Sequence, residues 1–193
     1  TSGGDAPGMN PCVRAVVRTA MYHGIECYGI RRGYNGLISG DVVKLDEKSV
    51  SHIINRGGTI LNTARSMEFM TPEGQKKAVS TCKFLGLDSI VAIGGDGTVN
   101  EVAEGLINTS SKLAIIPIGS GNGLARHLNI PLNYQRAVDA IFNGVPQFID
   151  AGVINGKVFF CTAGVGFDAV VGDSFNKSGS RGLITYVEYC AKV

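Results

Sequence analysis

A strand-like run, Ser89 to Ile93, apolar after its first residue, leads straight into Gly94-Gly95-Asp96-Gly97-Thr98, and helix-spaced residues follow from Val99 to Leu106. No other feature restricts the fold as much. A strand that is apolar on both faces must be covered on both faces, which is the situation of a parallel strand between helix layers. The pattern then returns: Leu113 to Ile118 reads as a second such strand, Gly119-Ser120-Gly121-Asn122 as a second glycine loop, and Gly121 to Leu128 as a second helix. Strand, glycine loop and helix in succession predict an α/β fold, a doubly wound parallel sheet with right-handed crossovers and helices on both faces.

Upstream, Thr1 to Gly8 reads as a glycine-rich turn, and Val13, Val16, Val17, Ala20 and Met21 fall at helical spacing between Asn10 and His23. Asn10 suits a helix cap and Pro11 the first helical position. Glu26 to Ile30 reads as a strand, Gly33 to Gly40 as a turn, Val42 to Leu45 as a hairpin arm and Ser49 to Asn55 as a serine-capped helix. After a loop from Gly57 to Arg65, Thr71-Pro72-Glu73 opens a helix that Gly86 stops. A further helix runs from Tyr134 to Phe142 and ends at Gly144. Beyond Pro146 the character changes, because Phe148 to Val153 and Lys157 to Thr162 are strands joined by Asn155-Gly156, a strong hairpin signal. The expected organisation is an α/β domain over residues 1–146 and the truncated start of a β-rich second domain over 147–193. The chain opens at Thr1 with no methionine or preceding strand and closes within a continuing pattern, so it reads as a fragment.

Composition narrows the partners. The net charge of +2 is too small for long-range attraction to nucleic acid or to an anionic membrane, so any phosphate binding must be local. The 27 glycines supply that locality, since they permit close backbone approach to phosphate where strands give way to helices. Cys12, Cys27, Cys82, Cys161 and Cys190 are widely spaced without a Cys-x-x-Cys pair and read as reduced thiols of a cytoplasmic protein. His23, His52 and His127 lack ligand spacing. No apolar run reaches the roughly 18 residues of a membrane span.

The loop from Gly94 to Thr98 carries the chemistry. Its glycines admit a polyphosphate, the following helix offers free N–H groups and a positive dipole end, and Asp96 offers a carboxylate for magnesium. Phosphoryl transfer needs these parts, because its catalysis is mostly positioning and charge neutralisation. A glycine turn with a capping aspartate would look the same locally. Gly3-Gly4-Asp5 precedes a helix and could face the same crevice, or be only a tight turn. Ser120 in the second glycine loop could bond a phosphate or cap a helix, and Arg65 could stabilise phosphate charge or stand in solvent. Gly164-Val165-Gly166 matches a loose dinucleotide fingerprint but follows a hairpin without a βαβ unit. Asp150 and Asp168 suit turns better than acid–base work.

Residues 1–97 resemble bacterial ATP-dependent 6-phosphofructokinase. The motifs Thr-Ser-Gly-Gly-Asp-Ala-Pro-Gly-Met-Asn at 1–10, Arg14-Ala15-Val16-Val17-Arg18, Gly33-Tyr34-Asn35-Gly36-Leu37, Arg56-Gly57-Gly58-Thr59-Ile60-Leu61, Thr63-Ala64-Arg65 and Ile93-Gly94-Gly95-Asp96-Gly97 stand in that family's order. The resemblance implies that Gly4, Tyr34 and Arg65 lie on the ATP side and that Asp96 binds magnesium. It further implies that Arg14 and Arg18 form an effector phosphate site between subunits, hence a homo-oligomer. Residues 94–193 resemble instead the diacylglycerol and sphingosine lipid kinase family, through Gly95-Asp96-Gly97-Thr98-Val99-Asn100-Glu101-Val102, the segment Pro117-Ile118-Gly119-Ser120-Gly121-Asn122-Gly123-Leu124-Ala125-Arg126, Ile149-Asp150-Ala151-Gly152 and Ala163-Gly164-Val165-Gly166-Phe167-Asp168-Ala169. That resemblance implies ATP contacts from Gly94, Gly95, Asp96, Gly97, Thr98, Asn100 and Ser120. The two overlap at the glycine-aspartate loop, as a natural or engineered fusion or an assembly join would make them.

The expectation is therefore an ATP- and magnesium-dependent kinase, with Asp96 and Arg65 as candidate catalytic residues. Its acceptor is expected to be a lipid such as diacylglycerol, met by transient contact with a membrane surface. The alternatives are 6-phosphofructokinase, which would take a small-molecule acceptor, and a non-catalytic nucleotide-binding module or non-native fusion fragment. The resemblances supply neither family's general base within the chain, so turnover is expected to fall by about 10²- to 10⁴-fold.

Overall fold

In chain order the elements are α1 (Met9–Tyr22), β1 (Cys27–Ile30), α2 (Tyr34–Ser39), β2 (Val42–Leu45), a 3₁₀ turn at Glu68–Met70, α3 (Pro72–Phe84), β3 (Ser89–Gly94), α4 (Asp96–Leu106), β4 (Lys112–Pro117), α5 (Gly123–His127), α6 (Tyr134–Asn143), β5 (Gly152–Ile154), β6 (Lys157–Phe159) and α7 (Phe167–Lys177). The computed structural model describes residues 1, 8–177, 187, 188, 190 and 191. They fall into two compact units, 1–149 and 150–193.

In the first unit the two apolar runs pair in parallel, from Ser89 opposite Lys112 to Gly94 opposite Pro117. Alternation along β3 sends Val91 and Ile93 to a core shared with Cys12, Val13, Val16 and Val17 of α1 and with Ala137 and Val138 of α6. Ile116 of β4 joins that core and is fully buried, worth roughly 1.5–3 kcal/mol on the usual area scale. Helix α4 packs on β3 and β4 and against α3, and a second cluster of Tyr34, Phe69 and Ala78 takes in Val102 of α4. Helices thus cover this α/β sheet on both faces, as the uninterrupted apolar runs require. Strands β1 and β2 form a separate antiparallel pair, Cys27 opposite Leu45.

Several boundaries differ from the sequence expectation, each for a local reason. Residues 49–55 form turns in place of a helix: His52 takes a left-handed φ of 55°, and Val50 and Ile53 enter the core from those turns. Residues 34–39 form a helix where a turn was expected, closed by Gly40 at φ 72°. Helix α1 begins at Met9 after Gly8 at φ 95°, so Asn10 lies inside the helix and its side chain serves another segment. Helix α4 starts three residues early, which puts Asp96 on its first turn. Helix α3 follows expectation, with the Thr71 hydroxyl accepting from the Gly74 N–H and Gly86 at φ 63° beyond its end.

In the second unit β5 and β6 pair in antiparallel fashion, Gly152 opposite Phe159, across Asn155 and Gly156 at φ 49° and 74°. Both central residues are left-handed, as a two-residue hairpin turn with the strand twist demands. The strands are three residues each, and α7 follows them.

Candidate functional site

In-register parallel pairing carries the ends of β3 and β4 to the same level, and their glycine loops therefore meet. The Ile118 N–H donates to the Gly94 carbonyl at 3.1 Å. Gly95 and Gly119 then pack backbone to backbone. A Cβ on Gly119 would stand 2.5 Å from the Gly95 Cα, so hydrogen is the largest side chain the seam accepts there. Asn122 fixes the second loop: it is buried, left-handed at φ 54°, accepts from the Gly119 N–H at 2.9 Å and donates to the Gly119 carbonyl at 2.6 Å. Arg126 donates from Nε to the Gly121 carbonyl at 3.0 Å. Ser120 is left exposed at the tip.

Asp96 stands in this seam, half-buried at the head of α4, whose start carries no side-chain cap. Its Oδ1 accepts from the Leu124 N–H of α5 at 3.3 Å, and its Oδ2 borders Gly121, where a Cβ would come within 2.8 Å. One carboxylate thus touches two helix starts, and a glycine keeps its second oxygen clear of side chains. A magnesium ion suits that donor set, because it keeps most of its waters and commonly takes only one or two carboxylates beside phosphate oxygens. Among the described residues no three His, Cys, Asp or Glu side chains gather as a larger metal site.

The other sequence-derived residues are distributed around this seam. Gly94 packs against the Thr98 side chain, which a Cβ would meet at 2.8 Å. Gly97 is exposed on the first turn of α4, and Asn100 is half-buried further along it. Tyr34 is buried, stacks on Phe69 with ring centres 4.1 Å apart and donates its hydroxyl hydrogen to the Thr98 carbonyl at 2.9 Å. It therefore supports α4 from within the core. Arg65 is exposed, and its carbonyl accepts from Asn35 Nδ2 at 3.4 Å. The loop leading to it is held by Asn10, which donates to the Arg56 carbonyl at 3.1 Å and accepts from the Ile60 N–H at 2.8 Å. Gly4 lies outside the described residues.

Arg14 and Arg18 line a shallow depression with Glu47, Ser51, His52 and Asn55. Both guanidinium groups are engaged: Arg14 donates to the Val50 carbonyl at 2.6 Å, and Arg18 pairs with Glu47 at 2.5 Å. A cavity of about 520 Å³ is bounded by Tyr34, Phe69, Ile90, Ala92 and Val102. Its lining includes Thr98 but neither Asp96 nor the second glycine loop, and its apolar walls do not suit a polyphosphate.

Two groups went unread in the sequence. Asn122 was legible only as part of a loop, and Glu101 carried no signal beyond its place in a motif. Burial pushes the Glu101 carboxyl above the usual glutamate range; the nearby Tyr34 hydroxyl opposes that rise, the Glu104 charge adds to it, and the Arg65 charge lowers it again. Periodicity could not have shown this cluster, because it joins α2, α4 and the segment containing Arg65.

The phosphofructokinase family model matches residues 1–130. The chain is similar to the ATP-dependent 6-phosphofructokinase of Cytophaga hutchinsonii, 42% identical over 160 residues, covering 83% of this chain and 48% of that protein. With the enzyme of the same name from Halalkalibacterium halodurans it shares 61% identity over 98 residues, covering 51% of this chain and 31% of the relative. Among solved structures, phosphofructokinase from Saccharomyces cerevisiae matches with a TM-score of 0.55 and 30% identity, covering 64% of this chain and 20% of that one. The chain spans about half the length of the curated relative from Cytophaga hutchinsonii. These matches correct the expected lipid acceptor and the lipid kinase resemblance of residues 94–193. The family match continues past Thr98 to residue 130, and an alignment of 160 residues within 193 must extend well beyond it. The glycine-rich motifs that suggested lipid kinases are short, and they occur here on a strand-end geometry that phosphate-binding folds share.

Proposed function

The chain belongs to the phosphofructokinase family, and from that premise we propose that it binds ATP with magnesium and serves phosphoryl transfer from ATP to fructose 6-phosphate in the cytoplasm. The observation that carries the reading is Asp96, with one oxygen on the Leu124 N–H and the other beside Gly121, where two glycine loops meet. The glycines at 94, 95, 97 and 119 let the phosphates approach backbone, and the start of α4 contributes its dipole. Bound magnesium would neutralise charge between the phosphates, with Asp96 as its protein ligand. Ser120 offers a hydroxyl from the second loop, and Arg65 offers a guanidinium for charge on the moving phosphoryl group. Binding of an effector phosphate at Arg14 and Arg18 belongs to the same proposal, with Glu47 as its competitor.

One observation favours a second reading, a nucleotide-binding module that transfers nothing. The loop Gly119-Ser120-Gly121-Asn122 holds no carboxylate that could take the acceptor proton. Equilibrium titration with ATP, with and without magnesium, combined with transfer of labelled γ-phosphate to fructose 6-phosphate, separates the two. Transfer supports the enzyme, and magnesium-dependent binding alone supports the module. Asp96→Asn is expected to remove most of the magnesium dependence and to weaken ATP binding about 10-fold or more, the scale of a lost charge-assisted contact. Unchanged metal-dependent affinity in that variant would end both readings.

A further inference from the structure

Asn122 stands at the N-cap of α5, where an asparagine side chain ordinarily accepts from its own helix, yet α5 has no side-chain cap from it. The amide turns back along the chain instead. Its Oδ1 accepts from the Gly119 N–H at 2.9 Å and its Nδ2 donates to the Gly119 carbonyl at 2.6 Å, so one side chain takes up both polar groups of Gly119. The first turn of α5 is served from the other loop, by Asp96 Oδ1 on the Leu124 N–H at 3.3 Å.

Gly119 is thereby gripped from two sides. A Cβ on it would meet the Gly95 Cα at 2.5 Å and Asn122 Oδ1 at 3.0 Å. Asn122 is buried, and its backbone is left-handed at φ 54° and ψ 42°, a conformation that glycine and asparagine adopt more readily than other residues. Further on, Arg126 Nε takes the Gly121 carbonyl at 3.0 Å. Side-chain donors therefore occupy the carbonyls of Gly119 and Gly121, while among the described residues no hydrogen bond engages the Ser120 hydroxyl or the amides of Ser120 and Gly121. A loop whose carbonyls are taken and whose donors are unspent is prepared for an anion.

We infer that Asn122 is a positioning residue for phosphate: it holds Gly119 in the seam against Gly95 and so sets where Ser120 stands relative to Asp96. The purpose of this arrangement rests on the nucleotide reading of Asp96, whereas its geometry rests on hydrogen bonds between protein atoms alone. Asn122 acts through the loop and not on the reacting atoms. A hydroxyl displaced by about an ångström loses much of its hold on a phosphate oxygen.

Asn122→Gly keeps the left-handed backbone available and deletes both side-chain bonds, which separates the amide from the fold. ATP with magnesium is titrated into the parent, Asn122→Gly, Ser120→Ala, the double variant and Thr71→Ala, whose lost cap on α3 controls for lost stability. Affinity is expected to fall about 10-fold in Asn122→Gly and measurably in Ser120→Ala, with little added loss in the double variant and none in Thr71→Ala, the pattern of a shared route through Ser120. A lowered melting temperature with parental affinity in Asn122→Gly is what a merely structural asparagine would give, and it overturns the inference. So do losses that add in the double variant, or a Ser120→Ala variant that binds like the parent.

A second arm needs no nucleotide. Amide exchange and nitrogen relaxation of Gly119, Ser120 and Gly121 are followed by NMR in the full chain. Faster exchange at Gly119 and greater mobility at Ser120 are expected in Asn122→Gly, and loop amides that behave as in the parent overturn the inference. If the parent itself binds no ATP the nucleotide reading falls, and this arm still decides whether Asn122 holds the loop.

Discussion

Gly119 owes its identity to what stands opposite it. A methyl group there would sit 2.5 Å from the Gly95 Cα, and because that neighbour is backbone the two loops would have to part. Gly119→Ala is expected to cost about 1–3 kcal/mol by overpacking. It should also lower ATP affinity by moving Asp96 away from α5, both readable by thermal melting and nucleotide titration. Glu47 presents the opposite case, a side chain whose removal should help. It holds Arg18 at 2.5 Å, with both side chains well exposed. Glu47→Gln is expected to leave stability nearly unchanged, as exposed pairs do, and to raise the affinity of that depression for inorganic phosphate several-fold, roughly 3- to 10-fold, in a phosphate titration. No change in phosphate affinity would remove the depression from consideration as an anion site.

At the scale of elements, the chain invests in its helix starts unevenly. Helix α3 begins with Thr71 accepting from the Gly74 N–H and Pro72 on its first turn, and α6 begins with Asn133 accepting from the Arg136 N–H. Helix α4, which carries Asp96, begins on Gly95 with no side-chain cap. Capped helices bound their own ends, whereas an uncapped start leaves backbone donors for a ligand. Thr71→Ala is therefore expected to destabilise the first unit by about 1 kcal/mol in chemical denaturation without altering ATP affinity. A loss of affinity in that variant would show that α3 helps to shape the site.

For the whole molecule, the consequence concerns rate. Asp96 already serves the Leu124 N–H, and the second glycine loop supplies a hydroxyl and an amide but no acid. On the proposed reading, transfer to fructose 6-phosphate is expected to be slower than in the 6-phosphofructokinase of Cytophaga hutchinsonii by about 10²- to 10⁴-fold, the usual contribution of a positioned base. Single-turnover measurement of labelled phosphate transfer checks this, and a rate equal to that of the relative would mean that another group takes the proton.

Much of the fold was already written in local pattern. Uninterrupted apolar runs at 90–93 and 113–118 required strands covered on both sides, Gly86 marked a helix end, and Asn155-Gly156 turned a hairpin, because each of these rests on neighbours within a few residues. The glycine-aspartate loop was legible for the same reason. What the linear order could not contain were encounters across the chain: Gly95 against Gly119, Asp96 reaching Leu124, Asn10 clasping Arg56 and Ile60, and Tyr34 turned inward beneath Thr98 beside Glu101. Local spacing settles which face of an element is apolar and where it stops. Only the pairing of β3 with β4, and the packing of α2 toward α4, settles which loops share a seam and which polar groups must satisfy one another there, since those choices depend on distances that no short stretch of sequence encodes.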